Sequence, residues 1–229
     1  QLRMEGVSAM RTRGEVIELT TDGGTEECLA LVLATGVSHR KLGLAGEADL
    51  VGAGLSYCAV CDGAFYQGRP VAVVGGGDAA LQEALFLSQR CAQVTVIHRR
   101  DLFRGEQQLR GRDNVDFRLS SQVTSLLQAN GELTGLRLAD RKRGTEEELK
   151  VDGLFVAVGQ EPRNEIFANL VMTDDRGYFV VHEDCATSLP GVFAAGDCRA
   201  KEVRQLTTAV GDGAVAGLAA CRYVDQRKN

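Results

Sequence analysis

Hydrophobic residues in the middle of the chain follow the order strand, turn, helix, strand. Val71 to Val74 is a continuous apolar run of the kind buried in a parallel sheet, and it ends at three glycines, Gly75 to Gly77. From Asp78 to Gln89 the apolar residues recur at helical spacing and predict a helix with a broad apolar face. The alternation from Gln93 to Ile97 predicts a second strand. The pattern therefore predicts a βαβ unit whose helix begins directly after a glycine turn.

A longer pattern occurs twice, over residues 7–36 and again over residues 123–159. Each copy has an alternating stretch, a Gly-Glu turn, another strand, a Gly-Thr-Glu-Glu turn and an apolar strand that ends at glycine. The closing strands, Leu29 to Gly36 and Leu154 to Gly159, are apolar enough to be buried in parallel sheets. This repeat predicts one supersecondary unit used twice. A complete βαβ piece precedes only the second copy, so we expect the chain to lack a first nucleotide-binding half.

Composition narrows the class of protein. The chain has 229 residues, of which 44% are hydrophobic and 25% charged, as in a globular domain or two that bury a real core. A net charge of -5 and few aromatic residues argue against nucleic acid or anionic lipid as a partner. No apolar run approaches the ~18 residues that span a bilayer. The odd count of 7 cysteines fits a reducing compartment, and we expect a cytoplasmic protein.

The glycine turn predicts a dinucleotide site. A side chain at Gly75 or Gly77 would obstruct the tight turn and the approach of a pyrophosphate to the N-terminus of the helix that starts at Asp78 and Ala79. Ala80 then permits close packing of the helix on the sheet. The alternative is a purely structural turn, which the strand on each side of the unit makes the weaker interpretation.

The end of the second strand indicates which nicotinamide the site prefers. An enzyme that uses NADH presents Asp or Glu there, to bond the ribose hydroxyls. This chain has His98-Arg99-Arg100, with Arg104 shortly after. Cationic side chains at this place pair with a 2′-phosphate and predict NADPH, the alternative being a solvated strand end.

A cysteine pair, Cys58-Ala59-Val60-Cys61, stands shortly before the glycine turn. Such a pair is half of a zinc site or a redox disulfide, and no partner pair at zinc spacing is evident among the other cysteines and the histidines. The adjacent Asp62 could serve as an acid or base toward a thiol, or cap the next turn. Beside a nicotinamide site, the pair predicts electron transfer from a nicotinamide to a disulfide.

Together these motifs resemble those of the low-molecular-weight thioredoxin reductases, which are class II pyridine nucleotide-disulfide oxidoreductases. The resemblance covers essentially the whole chain in order, and it is carried by the segments Ala34 to Gly36, Cys58 to Gly63, Gly75 to Ala80, His98 to Asp101 and Gly191 to Asp197. The chain is identified as a member of that family that is incomplete at its N-terminus.

The resemblance implies an α/β fold of two Rossmann-like three-layer nucleotide-binding domains, each with a β-meander. In that family the NADPH domain is inserted in the FAD domain. Transferred to this chain, residues 1–40 and 166–229 would belong to the FAD domain, and residues 41–165 would form the NADPH domain with the redox cysteines.

The resemblance also implies the site residues. Cys61 would face the flavin, Cys58 would attack the protein substrate, and Asp62 would be the acid-base residue. Residues expected at NADPH are Gly75, Gly77, Asp78, Ala79, His98, Arg99, Arg100, Arg104 and Gly159. Residues expected at FAD are Ala34, Thr35, Gly36, Gly196, Asp197, Arg204, Gln205 and Leu206.

The activity that follows from the resemblance is that of an NADPH-dependent thioredoxin-disulfide reductase. Electrons would pass from NADPH to FAD, to Cys58 and Cys61, and then to thioredoxin or a thioredoxin-like protein. A homodimer is expected, with no role for a metal, nucleic acid or a membrane. Two alternatives stay open: a flavoprotein that reduces a dedicated peroxidase partner, and a non-catalytic NADPH-binding redox sensor.

Three departures from the family pattern matter, one of which is that the stretch between Phe103 and Val115 looks short for the helix expected there. Ala79 and Gln82 stand where the family usually has a Ser and a Glu, which removes polar groups near the cofactor but leaves the turn. The first FAD glycine turn is absent, so we expect this chain to bind FAD poorly.

Overall fold

A computed structural model describes residues 1–103 and 105–227 of the chain. In chain order the first strands are β1 (Val7–Arg13), β2 (Val16–Thr21), β3 (Gly24–Cys28), β4 (Leu31–Leu33), β5 (Val37–His39), β6 (Leu55–Ser56), β7 (Pro70–Gly75) and β8 (Gln93–Ile97). The remaining strands are β9 (Val115–Arg118), β10 (Ser121–Ala129), β11 (Glu132–Asp140), β12 (Thr145–Leu149), β13 (Gly153–Ala157), β14 (Gln160–Pro162) and β15 (Val192–Ala194). The helices are α1 (Ala59–Asp62), α2 (Asp78–Ser88), α3 (Glu106–Leu109) and α4 (Leu206–Asp225), with 3-10 turns at Gly63–Tyr66 and Gly196–Cys198.

The chain divides into two compact units. One, called the central unit here, comprises His39–Gly159; the other, the outer unit, comprises Gln1–Ser38 and Gln160–Asn229. Each has its own apolar core.

The central unit is built on a five-stranded sheet in the order β6-β13-β7-β8-β9, in which every neighbouring pair is parallel. Side chains of β7 alternate between two cores. Val71 and Val73 pack with Ala80 and Ala84 of α2, whereas Ala72 packs in the core that contains residues of the meander β10-β11-β12. Because both faces of the sheet are covered, the strand is apolar at every position rather than at alternate ones.

The outer unit repeats these layers. It has the antiparallel meander β1-β2-β3, the parallel pair β4 and β15, and helix α4. Along β15 and the residue after it, Val192 and Ala194 lie in the core with Ile17 of the meander, while Phe193 and Ala195 pack with Ala216 of α4. The repeat seen in the sequence is therefore confirmed as a meander followed by a parallel strand, and the predicted fold class of two three-layer α/β units is confirmed as well.

The two closing strands of the repeat differ in burial. Leu154 and Phe155 of β13 are fully buried, as expected, because β13 lies between β6 and β7. In the first copy the strand is only Leu31–Leu33, and Leu29 and Val32 are 39% and 37% exposed. The predicted parallel strand is confirmed there, but it is shorter and less buried than expected, since β4 has one hydrogen-bonded neighbour among the residues that the structure describes.

Candidate active site around the Cys58–Cys61 disulfide

The two cysteines form a disulfide in a short turn at the edge of the central sheet. Strand β6 ends at Ser56, and α1 begins after Cys58, whose Sγ accepts a hydrogen bond of 3.1 Å from the N–H of Cys61. The Cα atoms of the pair are 5.3 Å apart and their sulfur atoms are bonded. No group of three or more possible metal ligands occurs within residues 1–103 and 105–227. The bonded pair fits a redox centre.

Asp62 is held by the strand that precedes the disulfide. Ser56 Oγ donates to Asp62 Oδ2 at 2.6 Å and also accepts from the N–H of Cys58 at 3.0 Å. The capping role considered for Asp62 is wrong, because its side chain makes no cap bond to the 3-10 turn that follows. Ser56 was missed from the sequence. The structure shows that it is buried, and a buried hydroxyl group needs a hydrogen-bond partner.

The surface around the disulfide is apolar and open. Cys61 is exposed and Cys58 is half-buried. Val60, between the cysteines, is 61% exposed, and Phe65, in the next turn, is 75% exposed. Large apolar side chains at this exposure suit contact with another protein surface.

The glycines of the nucleotide turn are required for different structural reasons. A Cβ on Gly75 would overlap the carbonyl oxygen of Ala157, so this position needs glycine for strand packing. A Cβ on Gly77 would meet nothing within 4 Å, and Gly77 is the N-cap of α2 with no side-chain cap bond. With the neighbouring Asp78 and Ala79 also exposed, this helix start leaves its backbone N–H groups open to an anion. The turn fits a dinucleotide phosphate.

His98 belongs to the glycine turn rather than to the charged loop after it. A Cβ on Gly76 would come within 1.9 Å of His98 Cε1 and overlap the imidazole ring, and the ring hydrogen-bonds to the backbone of Gly75. Burial lowers the pKa of His98, and Arg100 and Arg99 lower it further. The ring is therefore neutral at pH 7 and supports the turn.

The arginines lie close to this turn. Arg99 and Arg100 follow β8 and are exposed, and their effect on His98 shows that both charges lie near the glycines. Gly159, with φ of +116°, follows β13 at the same edge of the sheet, because β7, β8 and β13 are parallel. Arg104 lies outside the described residues.

In the outer unit, the predicted flavin residues also meet at one sheet edge. Ala34 to Gly36 follow β4, and Gly196 and Asp197 follow β15, the parallel neighbour of β4. Gly36 and Gly196 have φ of +68° and +81°, which glycine adopts without strain. Asp197 Oδ1 is buried and has no hydrogen-bond partner among the residues that the structure describes, although Lys201 Nζ lies 3.4 Å away. A buried carboxylate oxygen with capacity to spare fits the hydroxyl groups of a ribityl chain.

Two residues missed from the sequence hold this edge. Asn164 accepts from Thr35 Oγ1 at 2.7 Å and donates to the carbonyl of Cys198 at 2.9 Å. Asp212 of α4 accepts from the N–H of Gly196 at 3.1 Å and pairs with Arg199 and Lys201. The hydrogen bonds from Arg199 are the main cause that lowers the pKa of Asp212 to about 2.

The start of α4 carries the remaining predicted flavin residues. Gln205 is the N-cap and forms a capping box with Thr208, so part of the helix N-terminus is already bonded. Arg204 donates to the carbonyl of Asp197 at 3.2 Å and lies over the ring of Tyr178. Leu206 is 80% exposed. Arg204 thus ties the helix start to the Gly196–Asp197 turn.

Several known proteins are similar to this chain in sequence. Residues 1–213 match the family described as pyridine nucleotide-disulphide oxidoreductase. The chain is 46% identical over 214 residues to a thioredoxin reductase of Listeria monocytogenes, a match that covers 92% of this chain and 67% of the relative. A thioredoxin reductase of Treponema pallidum is 40% identical over 232 residues, which is 100% of this chain and 75% of the relative.

Solved structures of thioredoxin reductases are also similar to this chain. The crystal structure of thioredoxin reductase from Streptococcus pyogenes MGAS5005 matches with a TM-score of 0.91 at 36% identity, over 97% of this chain and 74% of that chain. Thioredoxin reductase from Giardia duodenalis matches with a TM-score of 0.91 at 31% identity, over 98% of this chain and 76% of that chain. The chain thus spans about two thirds to three quarters of the length of these relatives. It belongs to the pyridine nucleotide-disulphide oxidoreductase family and, within it, to the thioredoxin reductases.

Proposed function

We propose that this chain carries the nicotinamide site and the redox disulfide of an NADPH-dependent thioredoxin-disulfide reductase. The observation that carries the proposal is the position of the disulfide in the sheet. The redox turn follows β6 and the glycine turn follows β7, and both strands are parallel to β13, so the two turns leave the same edge of one sheet. Ligands of open parallel sheets bind at this edge.

NADPH is the proposed electron donor. Gly75, Gly77, Asp78 and Ala79 would receive the pyrophosphate at the start of α2, and Gly159 would border the site. Arg99 and Arg100 would pair with the 2′-phosphate, with Arg104 as a further candidate. His98 would support the site indirectly, because its ring packs against Gly76 and bonds to the backbone of Gly75.

FAD is proposed for the outer unit. Its chemistry accepts a hydride and passes two electrons on to a disulfide, which links a nicotinamide to the cysteines. Ala34 to Gly36, Gly196 and Asp197 would hold the cofactor, and Arg204 to Leu206 would border it.

The cysteines would then work by thiol–disulfide exchange. In the reduced chain, the Cys58 thiolate attacks one sulfur of the partner disulfide, that S–S bond breaks, and the leaving thiolate takes up a proton. The Cys61 thiolate next attacks Cys58 Sγ, which restores the Cys58–Cys61 disulfide and releases the partner as a dithiol. Asp62, held by Ser56, would deliver or accept the proton.

Thioredoxin or a thioredoxin-like protein is the proposed partner. The exposed Val60 and Phe65 beside the disulfide offer apolar area that a small-molecule disulfide would not need. A homodimer in the cytoplasm completes the proposal. Cys28, Cys91, Cys185, Cys198 and Cys221 are all unbonded, which suits a reducing compartment. None of the described helices is long and apolar enough to cross a membrane.

The first test traps the exchange step. Reduced Cys61→Ser chain is mixed with thioredoxin that keeps one active-site cysteine, carried as a mixed disulfide with thionitrobenzoate. We expect the Cys58 thiolate to displace thionitrobenzoate, which is followed by its colour, and to leave a covalent complex of the two proteins. The matched Cys58→Ser chain should form the complex at least tenfold more slowly. Equal rates for the two variants would contradict the assigned roles.

Calorimetry of the same chain with NADPH and NADH completes the test. The proposal expects NADPH to bind at least tenfold more tightly than NADH, because two arginines face the phosphate that distinguishes them. NADPH binding without any exchange with thioredoxin would favour the redox-sensor alternative.

A further inference from the structure

A buried carboxyl group lies behind the redox turn. Glu83 is on α2, and its side chain accepts a hydrogen bond from the backbone N–H of Ala59, the residue that follows Cys58. Its second oxygen, Oε2, is buried and has no hydrogen-bond partner within the described part of the chain. Ala59 itself is 1% exposed and packs in the same core as Ala80, Ala84 and Leu87 of α2. The contact therefore joins the nucleotide helix to the redox turn.

The packing around this contact is tight. A Cβ on Gly63, directly after α1, would come within 3.0 Å of Leu87 and 3.1 Å of Phe86. The redox turn thus packs against α2 along the length of the turn, and Glu83 contacts the start of the turn. A carboxyl in such a place is costly to bury, because half of its hydrogen-bonding capacity is unused. Burial raises the pKa of Glu83 to about 7, and the bond from Ala59 opposes that rise.

We propose that Glu83 is a positioning residue of the redox centre, which holds the Cys58–Cys61 turn through the Ala59 N–H and sets the balance between the disulfide and the dithiol. A carboxylate near the cysteines disfavours a thiolate by like-charge repulsion. The thiolate exists only in the reduced form, so a negative charge on Glu83 favours the disulfide. The inference rests on the proposed function of Cys58 and Cys61 as a redox pair.

Other ionisable groups near the turn are Asp62 on the redox helix and Tyr66 on the next turn. Asp62 is already bonded to Ser56, and burial raises the pKa of Tyr66. The test therefore uses variants of Glu83 at one fixed pH and leaves those two groups unchanged.

The experiment measures the reduction of Cys58–Cys61 in this chain, without flavin or nicotinamide. The protein is equilibrated at pH 7.0 with mixtures of dithiothreitol and its cyclic disulfide, and its thiols are then alkylated and counted by mass spectrometry. Each dithiothreitol gives two electrons and two protons to the Cys58–Cys61 disulfide and becomes the cyclic disulfide. The variants are Glu83→Gln, Glu83→Ala and, as a matched control, Glu146→Gln, which makes the same change at an exposed position of β12.

We expect Glu83→Gln to shift the equilibrium about threefold to tenfold toward the dithiol, which for a two-electron couple is about 15 to 30 mV. Glu146→Gln should not shift it. Hydrogen exchange of the Ala59 amide should become at least tenfold faster in Glu83→Ala than in Glu83→Gln, because glutamine keeps an acceptor oxygen. An unchanged equilibrium in Glu83→Gln, or an equal shift in Glu146→Gln, would overturn the proposal.

Failure of the proposed function would look different. If Cys58 and Cys61 could not be reduced and re-oxidised reversibly in the unsubstituted chain, the redox pair itself would be refuted. A chain that cycles normally, with the same equilibrium in the Glu83→Gln variant, would refute only the role of Glu83.

Discussion

At the scale of single residues, His98 and the two arginines that follow it have different surroundings. The sequence predicts that all three contact NADPH. The imidazole of His98 lies against Gly76, and burial lowers its pKa, whereas the arginines are exposed. We therefore expect His98 to support the glycine turn and the two arginines to bind the phosphate of the cofactor.

A direct comparison of variants follows from this separation. His98→Gln should weaken NADPH binding less than threefold, since a neutral ring contributes little charge to a phosphate. Arg99→Ala and Arg100→Ala should each weaken it about tenfold, the worth of a charged hydrogen bond, and leave NADH binding unchanged. Calorimetry of this chain provides the measurement, with the exposed Arg90→Ala as the control for loss of a positive charge. A loss in His98→Gln as large as in the arginine variants would show that the ring contacts the cofactor.

At the scale of elements, the glycine turn lets stability and ligand binding be separated by two neighbouring substitutions. Gly76→Ala places a methyl group in steric overlap with the His98 ring, and we expect it to lower the free energy of unfolding of the central unit by about 3 kcal/mol, as overpacking does. Gly77→Ala meets no atom within 4 Å, so the fold should be retained while the phosphate loses its approach to α2.

Urea unfolding and NADPH titration of both variants provide the measurement. The double variant Gly76→Ala with His98→Ala should recover most of the lost stability, because the clashing ring is gone. If Gly77→Ala binds NADPH as tightly as the unsubstituted chain, the phosphate does not approach this residue.

The boundaries of this βαβ unit are largely predictable from the sequence. The predicted strand from Gln93 to Ile97 coincides with β8, and the predicted helix from Asp78 to Gln89 is one residue longer than α2. These elements follow from local periodicity, in which each residue is judged with its near neighbours. The same periodicity indicates that Glu83 lies on the buried face of the helix, because it is three residues after Ala80 and four before Leu87, both of which are buried.

Contacts between distant segments had no such clue. Asp212 meets Gly196 across 16 positions, and Thr35 meets Asn164 across 129. No period in the sequence connects these residues, because the fold alone brings their elements together. The cofactor turns were therefore predictable, and the side chains that hold them were not.

At the scale of the whole molecule, the Asp212 network makes the outer unit sensitive to acid. The side chains of Asp212 and Lys201 are 11% and 9% exposed, and Arg199 is the third residue of the network. The hydrogen bonds from Arg199 lower the pKa of Asp212 from its ordinary value of 3.8 to about 2. Its stabilising effect is fully present above pH 4 and is lost as the pH falls through about 2, with a size of about 2 kcal/mol.

Asp212→Asn tests this network. At pH 6 the substitution should lower the stability of the outer unit by about 3 kcal/mol, because it removes the carboxylate that pairs with both Arg199 and the buried Lys201. The difference from the unsubstituted chain should shrink by about 2 kcal/mol between pH 4 and pH 2. Urea unfolding followed by hydrogen exchange of α4 gives both values, and Asp225→Asn, an exposed position on the same helix, is the control. A difference that is independent of pH would mean that the carboxylate charge is not what holds the network.

The order of strands in the central sheet has a consequence for how such a protein can change over evolution. The disulfide turn follows β6 and the arginines follow β8, with β13 and β7 between them. Three strand spacings place these two ends about 14 Å apart along the sheet edge. If the arginines bind NADPH as proposed, a lineage can replace them and adopt another reductant without disturbing the sulfur chemistry. It can equally reshape the surface around Val60 and Phe65 for a new protein partner while keeping its source of electrons.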